Sequence, residues 1–364
     1  MKKIVHIIPS LNKGGAERFV VDLCNELSKK QEVYLISLAD NYENSFQGEV
    51  SSRVNLITLR KKSGLDIKVM YQLRKALNNI RPDVINTHIN ALEYLVFFFV
   101  KFQRMKTKFF HTLHNKADKE TASNLILKFR KTLYKRKVII PITISKMMSR
   151  SFEEVYELKG FDIQIDNGRP YVPANMDSVN IIREKFKTGG EKVFVNVARI
   201  DKQKNQLNLV KAFNKFTSQG VNAKLLIIGE YVDQDLYSQI QREIGSNQQI
   251  HMLGGVLNVE DYLTACDAFI LPSLYEGMPI SLIEALSHGC ISICTAVGGV
   301  TDMIDDSING ILTSDTSVDG IFHAMQRFMQ LENDEQIRKN ARKSFSNYFD
   351  IRSSATNYLK VYGL

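Results

Sequence analysis

The sequence predicts an α/β protein made of two doubly wound, parallel-sheet domains in tandem. Its 364 residues exceed what one ordinary core encloses and suit two domains of roughly 150–200 residues each. Through both halves, short apolar runs alternate with amphipathic helical stretches, the rhythm of a parallel sheet covered on both faces. One turn-rich segment, DNGRPYVP at 166–173, interrupts that rhythm and reads as an interdomain linker.

In the first half the strand candidates are 4–8, 33–37, 55–59, 84–87, 108–113, 138–144 and 163–166, with helical stretches at 16–28, 67–79 and 123–135. After the linker, 193–197, 224–228, 249–252, 268–271, 291–294 and 310–312 read as strands separated by helices. Open α/β sheets bind ligands beyond the carboxyl ends of their strands. Two such halves facing each other imply a deep interdomain cleft as the default site.

Composition narrows the class. Hydrophobic residues at 44% and charged residues at 24% are those of a soluble globular protein. Cys24, Cys266, Cys290 and Cys294 show neither C-x-x-C spacing nor histidine partners, which points to reduced thiols in a cytoplasmic protein and no structural zinc. The opening MKKIVHIIPS breaks at Pro9 after too short an apolar run for a signal peptide. The most apolar stretch, 94–100, is bounded by Glu93 and Lys101, far short of the roughly 20 residues of a membrane span. The formal charge of +9 is uneven: residues 1–170 hold 30 Lys+Arg against 17 Asp+Glu, and the remainder 18 against 22. An anionic partner for the first half and a merely solvated basic surface explain that asymmetry equally well.

The densest chemical signal is PSLYEGMPISLIEAL at 272–286. A strand ends at Pro272, a glycine loop follows, and Pro279 stands where a helix begins, as favours a residue without an N–H at the first helical position. The helix 280–288 then offers unpaired amides and a positive dipole end to a phosphate. Glu276 precedes that helix and Glu284 lies within it, so the two carboxylates serve different parts of a ligand. A second signal, VARIDKQKN at 197–205, puts Arg199 and Lys204 on the loop leaving the first strand of the second half. A planar guanidinium fork and a mobile ammonium together can neutralise a diphosphate.

These motifs resemble those of the retaining glycosyltransferases of the GT4 type, which have the GT-B fold. Arg199, Lys204, Glu276 and Glu284 match the family pattern, while Ala198 replaces its usual glycine. The resemblance runs along nearly the whole chain, through GGAE at 14–17, IDNG at 165–168, VGGVTD at 297–302 and NG at 309–310. Asp302 stands where the family usually has Glu and is given no role. The resemblance implies that Arg199 and Lys204 hold the donor diphosphate and that Glu284 accepts from ribose hydroxyls. It further implies that Glu276, with the Gly277 and Met278 amides, orients the sugar. The Ile280 and Ser281 amides would meet the β-phosphate, and Leu253 would border the base. Domain limits of 1–168 and 169–347 are expected, with a helix at about 348–364 returning to the first domain.

In the first half, Gly14 and Gly15 open the first helix. They form either a tight strand-to-helix turn or a backbone approach to the donor, which the resemblance favours. FHTLHN at 110–115 ends another strand. Alternation puts His111 and Leu113 on one face and His114 at the exit, and the resemblance places His114 beside the sugar. His111 and His88 are read as structural. The stretch 123–137 sets Leu125, Phe129 and Leu133 on one helical stripe among six cations, either an ordinary packed helix or one leaning on anionic lipid.

The resulting expectation is a metal-independent hexosyltransferase with no cofactor. Its donor would be a nucleoside-diphosphate sugar, UDP foremost. Its acceptor would be a glycan, lipid-linked in one version, in cell-envelope or capsular polysaccharide synthesis. The protein would be cytoplasmic and, in the lipid version, peripheral on the inner face of the membrane. No D-x-D motif or oxygen-ligand cluster demands a metal. A glycosidase-like use of Glu276 and Glu284 leaves Arg199 and Lys204 without a purpose. A sugar-nucleotide epimerase of the same fold and a non-enzymatic basic membrane-surface binder are the rivals. Nucleic acid is disfavoured, because no stacking platform accompanies the charge and the second half is acidic.

Overall fold

The computed structural model describes residues 1–364 except 13, 41–44, 63, 65, 96–105, 121–122 and 232. The chain forms two compact units, Met1–Pro170 with Phe349–Leu364, and Tyr171–Tyr348. The first holds strands β1 (Lys3–Ile8), β2 (Glu32–Ala39), β3 (Val54–Lys61), β4 (Val84–His88), β5 (Lys108–Leu113), β6 (Ile140–Thr143) and β7 (Ile163–Gln164). They form one parallel sheet in the order β3-β2-β1-β4-β5-β6-β7. The second unit holds β8 (Lys192–Val197), β9 (Ala223–Ile228), β10 (Ile250–Gly254), β11 (Ala268–Leu271), β12 (Ile291–Thr295) and β13 (Gly310–Thr313). These are parallel too, in the order β10-β9-β8-β11-β12-β13.

The central strands are buried along nearly their whole length because helices cover both faces. AFIL of β11 and ISICT of β12 are buried at every position. In each unit the strand order reverses next to the first strand, between β1 and β4 and between β8 and β11. Connections there leave towards opposite faces of the sheet, so a crevice opens at the carboxyl ends of that strand pair.

The turn formers before the second unit do more than link. Arg169 donates its amide to Phe349 O at 2.9 Å, Ile351 N donates to Arg169 O at 3.0 Å, and the Arg169 guanidinium pairs with the buried Asp22. A Cβ on Gly168 would lie 2.9 Å from the Asp350 carbonyl. Residues 166–170 are therefore a seat for the end of the chain, and the second unit begins only at Tyr171. The last helix, Ile351–Tyr362, is held on unit 1 by polar contacts. Asn86 Nδ2 donates to Tyr362 Oη at 2.9 Å, Lys108 Nζ to Tyr362 O at 2.8 Å, and Ser354 Oγ to Asp166 O at 2.8 Å.

The helix Asn124–Lys135 packs on the sheet, one of its two expected readings, but its apolar stripe is divided and one of its cations is turned inward. Phe129 and Leu133 pack on the unit 1 core, while Leu125 is 79% exposed. Arg130 is fully buried: its Nε lies 2.8 Å from Glu93 Oε1, and its Nη1 3.7 Å from Oε2 of the equally buried Glu120. A hydrophobic side chain three residues either side of a cation cannot say which way the cation turns, and here buried carboxylates draw it inward. Arg130→Met leaves those carboxylates uncompensated and should destabilise unit 1 by about 3–5 kcal/mol. Lys128→Met, on the exposed side, should cost less than about 0.5 kcal/mol. Urea unfolding of the two variants beside the parent checks both values.

Candidate functional site

The crevice of unit 2 is built by two loops, 198–205 after β8 and 272–279 after β11. Because β8 and β11 are neighbours, the loops run side by side and are stitched together. Leu274 N donates to Gln203 O at 2.8 Å, Gln203 Nε2 to Tyr275 O at 2.9 Å, and Asn205 Nδ2 to Pro272 O at 3.0 Å. From the other side, β12 contributes Thr295, whose Oγ1 donates to Ser273 O at 2.5 Å, and the turn after it contributes Gly299, whose amide donates to Glu276 O at 3.3 Å.

This scaffold brings Lys204 and Glu276 into contact across 72 positions of sequence. Lys204 Nζ lies 2.6 Å from Glu276 Oε1, and Ser273 Oγ donates to the same oxygen at 2.6 Å. Asp201 caps the short turn Lys202–Lys204 by accepting from Gln203 N at 2.8 Å, and Asn205 closes it at φ 58, a left-handed conformation asparagine tolerates. Arg199 projects from the same loop and is exposed. Ala198 keeps a negative φ, so its methyl group adds no backbone strain. The position that must be glycine is its neighbour across the strands, Gly229, where a Cβ would stand 1.9 Å from Ala198 O.

The helix Ile280–His288 starts one residue after Pro279. Pro279 is thus the N-cap, at φ −70, rather than the first helical residue. Its carbonyl takes the Leu282 and Ile283 amides, while Ile280 and Ser281 have no intrahelical carbonyl within reach. Ile280, Ser281 and Glu284 are half-buried on one helical stripe, whereas Leu282, Ile283, Ala285 and Leu286 face the core. Gly277 is half-buried and Met278 is buried. Leu253 lies inside β10, which runs on through Gly254. A cavity of about 240 Å³ beside it is lined by Met252, Gly254, Glu230, Tyr231 and Tyr237, not by Leu253.

In unit 1, Gly14 is the extended N-cap of the helix Gly15–Leu27, and Gly15 is exposed. A cavity of about 570 Å³ opens at the ends of β1–β3, with Asn12, Asp40, Lys61, Asn90 and Tyr94 among its lining residues. His114 is not at an open strand exit: it is buried, with its Nε2 3.0 Å from His88 Nδ1, while His88 Nε2 lies 2.9 Å from His6 Nδ1. The three imidazoles form a hydrogen-bonded series across β1, β4 and β5. His111 points to the other face, with its Nδ1 2.6 Å from Tyr134 Oη and its Nε2 2.7 Å from Ile89 O. Burial pushes His6 and His114 down to about 3 and holds His88 and His111 well below the ordinary histidine value.

Residues 178–344 match the family model for glycosyl transferases group 1, and residues 13–165 match that for glycosyltransferase family 4. The chain belongs to the GT4-type glycosyltransferases. It is 24% identical over 371 residues to the Campylobacter jejuni N-acetylgalactosamine-N,N'-diacetylbacillosaminyl-diphospho-undecaprenol 4-alpha-N-acetylgalactosaminyltransferase, with 99% of each chain covered. It is 25% identical over 317 residues to the Staphylococcus aureus capsular polysaccharide biosynthesis glycosyltransferase CapH, with 82% of each covered. Anabaena HepE, solved in complex with UDP and glucose, superposes with a TM-score of 0.83 at 18% identity over 100% of both chains. That likeness shows the GT-B fold of this glycosyltransferase.

Sequence reasoning had not picked out Ser273, Tyr231 or Tyr237 in this GT4-type chain. Ser273 stands inside the 272–286 run, but nothing in the run says that its hydroxyl reaches Glu276. Tyr231 and Tyr237, whose ring centroids lie 4.6 Å apart, follow an inconspicuous Gly229–Glu230 turn. Among the described residues no helix is long and apolar enough to cross a membrane.

The buried histidines make stability depend on pH. They are neutral in the fold yet free to take a proton once unfolded, so acid favours the unfolded chain. The loss begins as pH falls below 6.5, the unfolded value, and for His6 and His114 it continues to about 3. Each contributes about 1.4 kcal/mol per pH unit in that window. The urea midpoint of unit 1 should therefore drop steeply between pH 6.5 and 5, above the range in which carboxylates titrate. A flat midpoint across that interval would mean that the imidazoles are charged in the fold.

Proposed function

We propose that this chain moves a hexose-type sugar from a nucleoside-diphosphate sugar, a UDP-sugar being the first donor to test, onto a glycan. We infer that it does so with retention at the anomeric carbon and without a metal ion. The observation that carries the reading is the meeting of Lys204, Glu276 and the amino end of the helix Ile280–His288 at one crevice of unit 2, with Arg199 on the adjoining loop.

In such a transfer the bond from the anomeric carbon to the diphosphate breaks as the carbon becomes cation-like. Catalysis then rests on stabilising the departing negative charge and holding the acceptor hydroxyl close. Arg199, Lys204 and the Ile280 and Ser281 amides supply positive charge for the diphosphate. Glu284, on the same stripe of that helix, accepts from the ribose, and Glu276 accepts from the sugar. In unit 1, the cavity lined by Asp40 and Lys61 is assigned to the acceptor. Lipid-linked and capsular glycans lead the acceptor candidates, because the Campylobacter relative's name specifies a diphospho-undecaprenol acceptor and the Staphylococcus relative is a capsular enzyme.

Incubation with a panel of sugar nucleotides and diphospho-lipid glycans, read by mass spectrometry, tests the reading. A product with one added hexose is expected, with the donor's anomeric configuration by NMR and undiminished in excess EDTA. An isomerised donor and no adduct would make the chain an epimerase. Arg199→Ala and Lys204→Ala should each lower kcat/KM by roughly 10²–10³, as the loss of one oxyanion-type contact does, with an unchanged unfolding midpoint for the exposed Arg199 and a cooperative unfolding transition kept in Lys204→Ala. Turnover at the parental rate in either variant removes the diphosphate assignment.

A peripheral membrane role is part of the proposal. Lys128, Lys135 and Arg136 are exposed beside the bare Leu125, and each cation near an anionic surface contributes about 1 kcal/mol. The protein should float with anionic vesicles at low salt and be released as ionic strength rises. Lys128→Glu, Lys135→Glu and Arg136→Glu together should abolish flotation and spare transfer to a soluble acceptor. Parent protein left in solution at low salt would assign this basic face to something other than lipid.

A further inference from the structure

Glu276 Oε1 receives two donors at 2.6 Å, the Lys204 ammonium and the Ser273 hydroxyl, in a place where Lys204 is 16% exposed and Glu276 only 5%. The two donors differ in what they are free to do. Lys204 sits at the end of a short turn on a four-carbon stem, and its charge is wanted by a diphosphate. Ser273 is fully buried, with its carbonyl held by Thr295 Oγ1 and the carbonyl before it held by Asn205 Nδ2. It can go nowhere when a ligand arrives.

We propose that the Lys204–Glu276 contact is a resting-state ion pair through which Glu276 tells a loaded donor from a spent nucleoside diphosphate, and that Ser273 is the positioning residue that keeps the carboxylate aimed while Lys204 changes partner. This rests on the donor-site reading given above. A diphosphate drawing on Lys204 takes the counter-charge away from Glu276 and sets its own negative charge beside the carboxylate, and like charges so placed oppose binding. A donor still carrying its sugar offsets that cost, because sugar hydroxyls donate to Glu276. Once the sugar has been transferred those donors are gone, and Lys204 falls back to Glu276 as the diphosphate leaves. The pair thus favours release of product, a step that often limits turnover.

The consequence has a sign that a simple contact residue would not produce. In calorimetric titrations with UDP, ADP and GDP, the diphosphate that binds the parent should bind Glu276→Gln about tenfold more tightly, since the opposing charge is gone. The same variant should lose its preference for the matching sugar nucleotide over that diphosphate. Ser273→Ala should bind the diphosphate within about twofold of the parent while kcat falls about tenfold, and Ser273→Thr, which keeps the hydroxyl, should recover it. Product binding to Glu276→Gln that is equal to or weaker than the parent's overturns the exchange while leaving the donor site standing. Equal loss of product affinity and kcat in Ser273→Ala, without rescue by threonine, reduces Ser273 to a packing role and overturns that part. If none of the three diphosphates binds the parent, the donor-site reading falls and takes this inference with it.

Discussion

The reversal of strand order beside the first strand of each sheet is the constraint on which the rest depends. In unit 2 it makes β8 and β11 neighbours although the whole of 198–267 lies between them in the chain. The loops that follow them then share a wall, and backbone groups that would otherwise lack partners are satisfied across the join, Leu274 N by Gln203 O and two carbonyls by the side-chain amides of Gln203 and Asn205. Lys204 reaches Glu276 only because that join exists. β12, the next strand along, contributes Thr295, and the turn that follows it the Gly299 amide, and together they close the far side. A carboxylate held by donors from two loops, with its own backbone carbonyl fixed from a third, is far better placed to act on a ligand than one on a free surface loop.

Close approach of backbone sets the tolerance of the same region. At Gly229 a side chain has no room, because β9 ends against the carbonyl of Ala198. Crowding at that end of the sheet falls on the residue after β9, and Ala198 after β8 carries a methyl group in an ordinary conformation. A chain with alanine where its family usually has glycine is therefore consistent with an intact Arg199–Lys204 loop.

Unit 1 shows a different solution to placing polar groups in a sheet. His6, Asn86, His88, Thr112 and His114 lie on one face of β1, β4 and β5 and just beyond, and all are buried. They are paired with one another and with Tyr358 and Tyr362 of the chain's last helix. Burial keeps the imidazoles neutral, so the layer carries dipoles and no net charge, and it fixes the last helix by hydrogen bonds whose geometry admits one register. On the opposite face, Arg130 with Glu93 and Glu120 forms a charged cluster, and Glu120 also accepts the His114 and Asn115 amides at 2.9 and 3.0 Å. Glu120 thus ties that cluster directly to the strand end that carries His114.

What the sequence by itself determined was local. Apolar runs and helical periodicity located the strands and the helix at 280–288, because each signal is confined to a few adjacent residues and reports burial on one face or both. The motif residues Arg199, Lys204, Glu276 and Glu284 could be chosen for the same reason, since residue type and loop position are readable without partners. The tertiary structure alone decided which strands are neighbours, and hence that Lys204 and Ser273 converge on one oxygen of Glu276. It also decided that Arg130 turns inward while Lys128 stays out, that His114 is the end of a buried series, and that residues 166–170 seat the last helix. Each of these depends on groups dozens to hundreds of positions apart. Whether a buried charge or imidazole is stable follows from its partners in space, and a one-dimensional pattern holds no record of them.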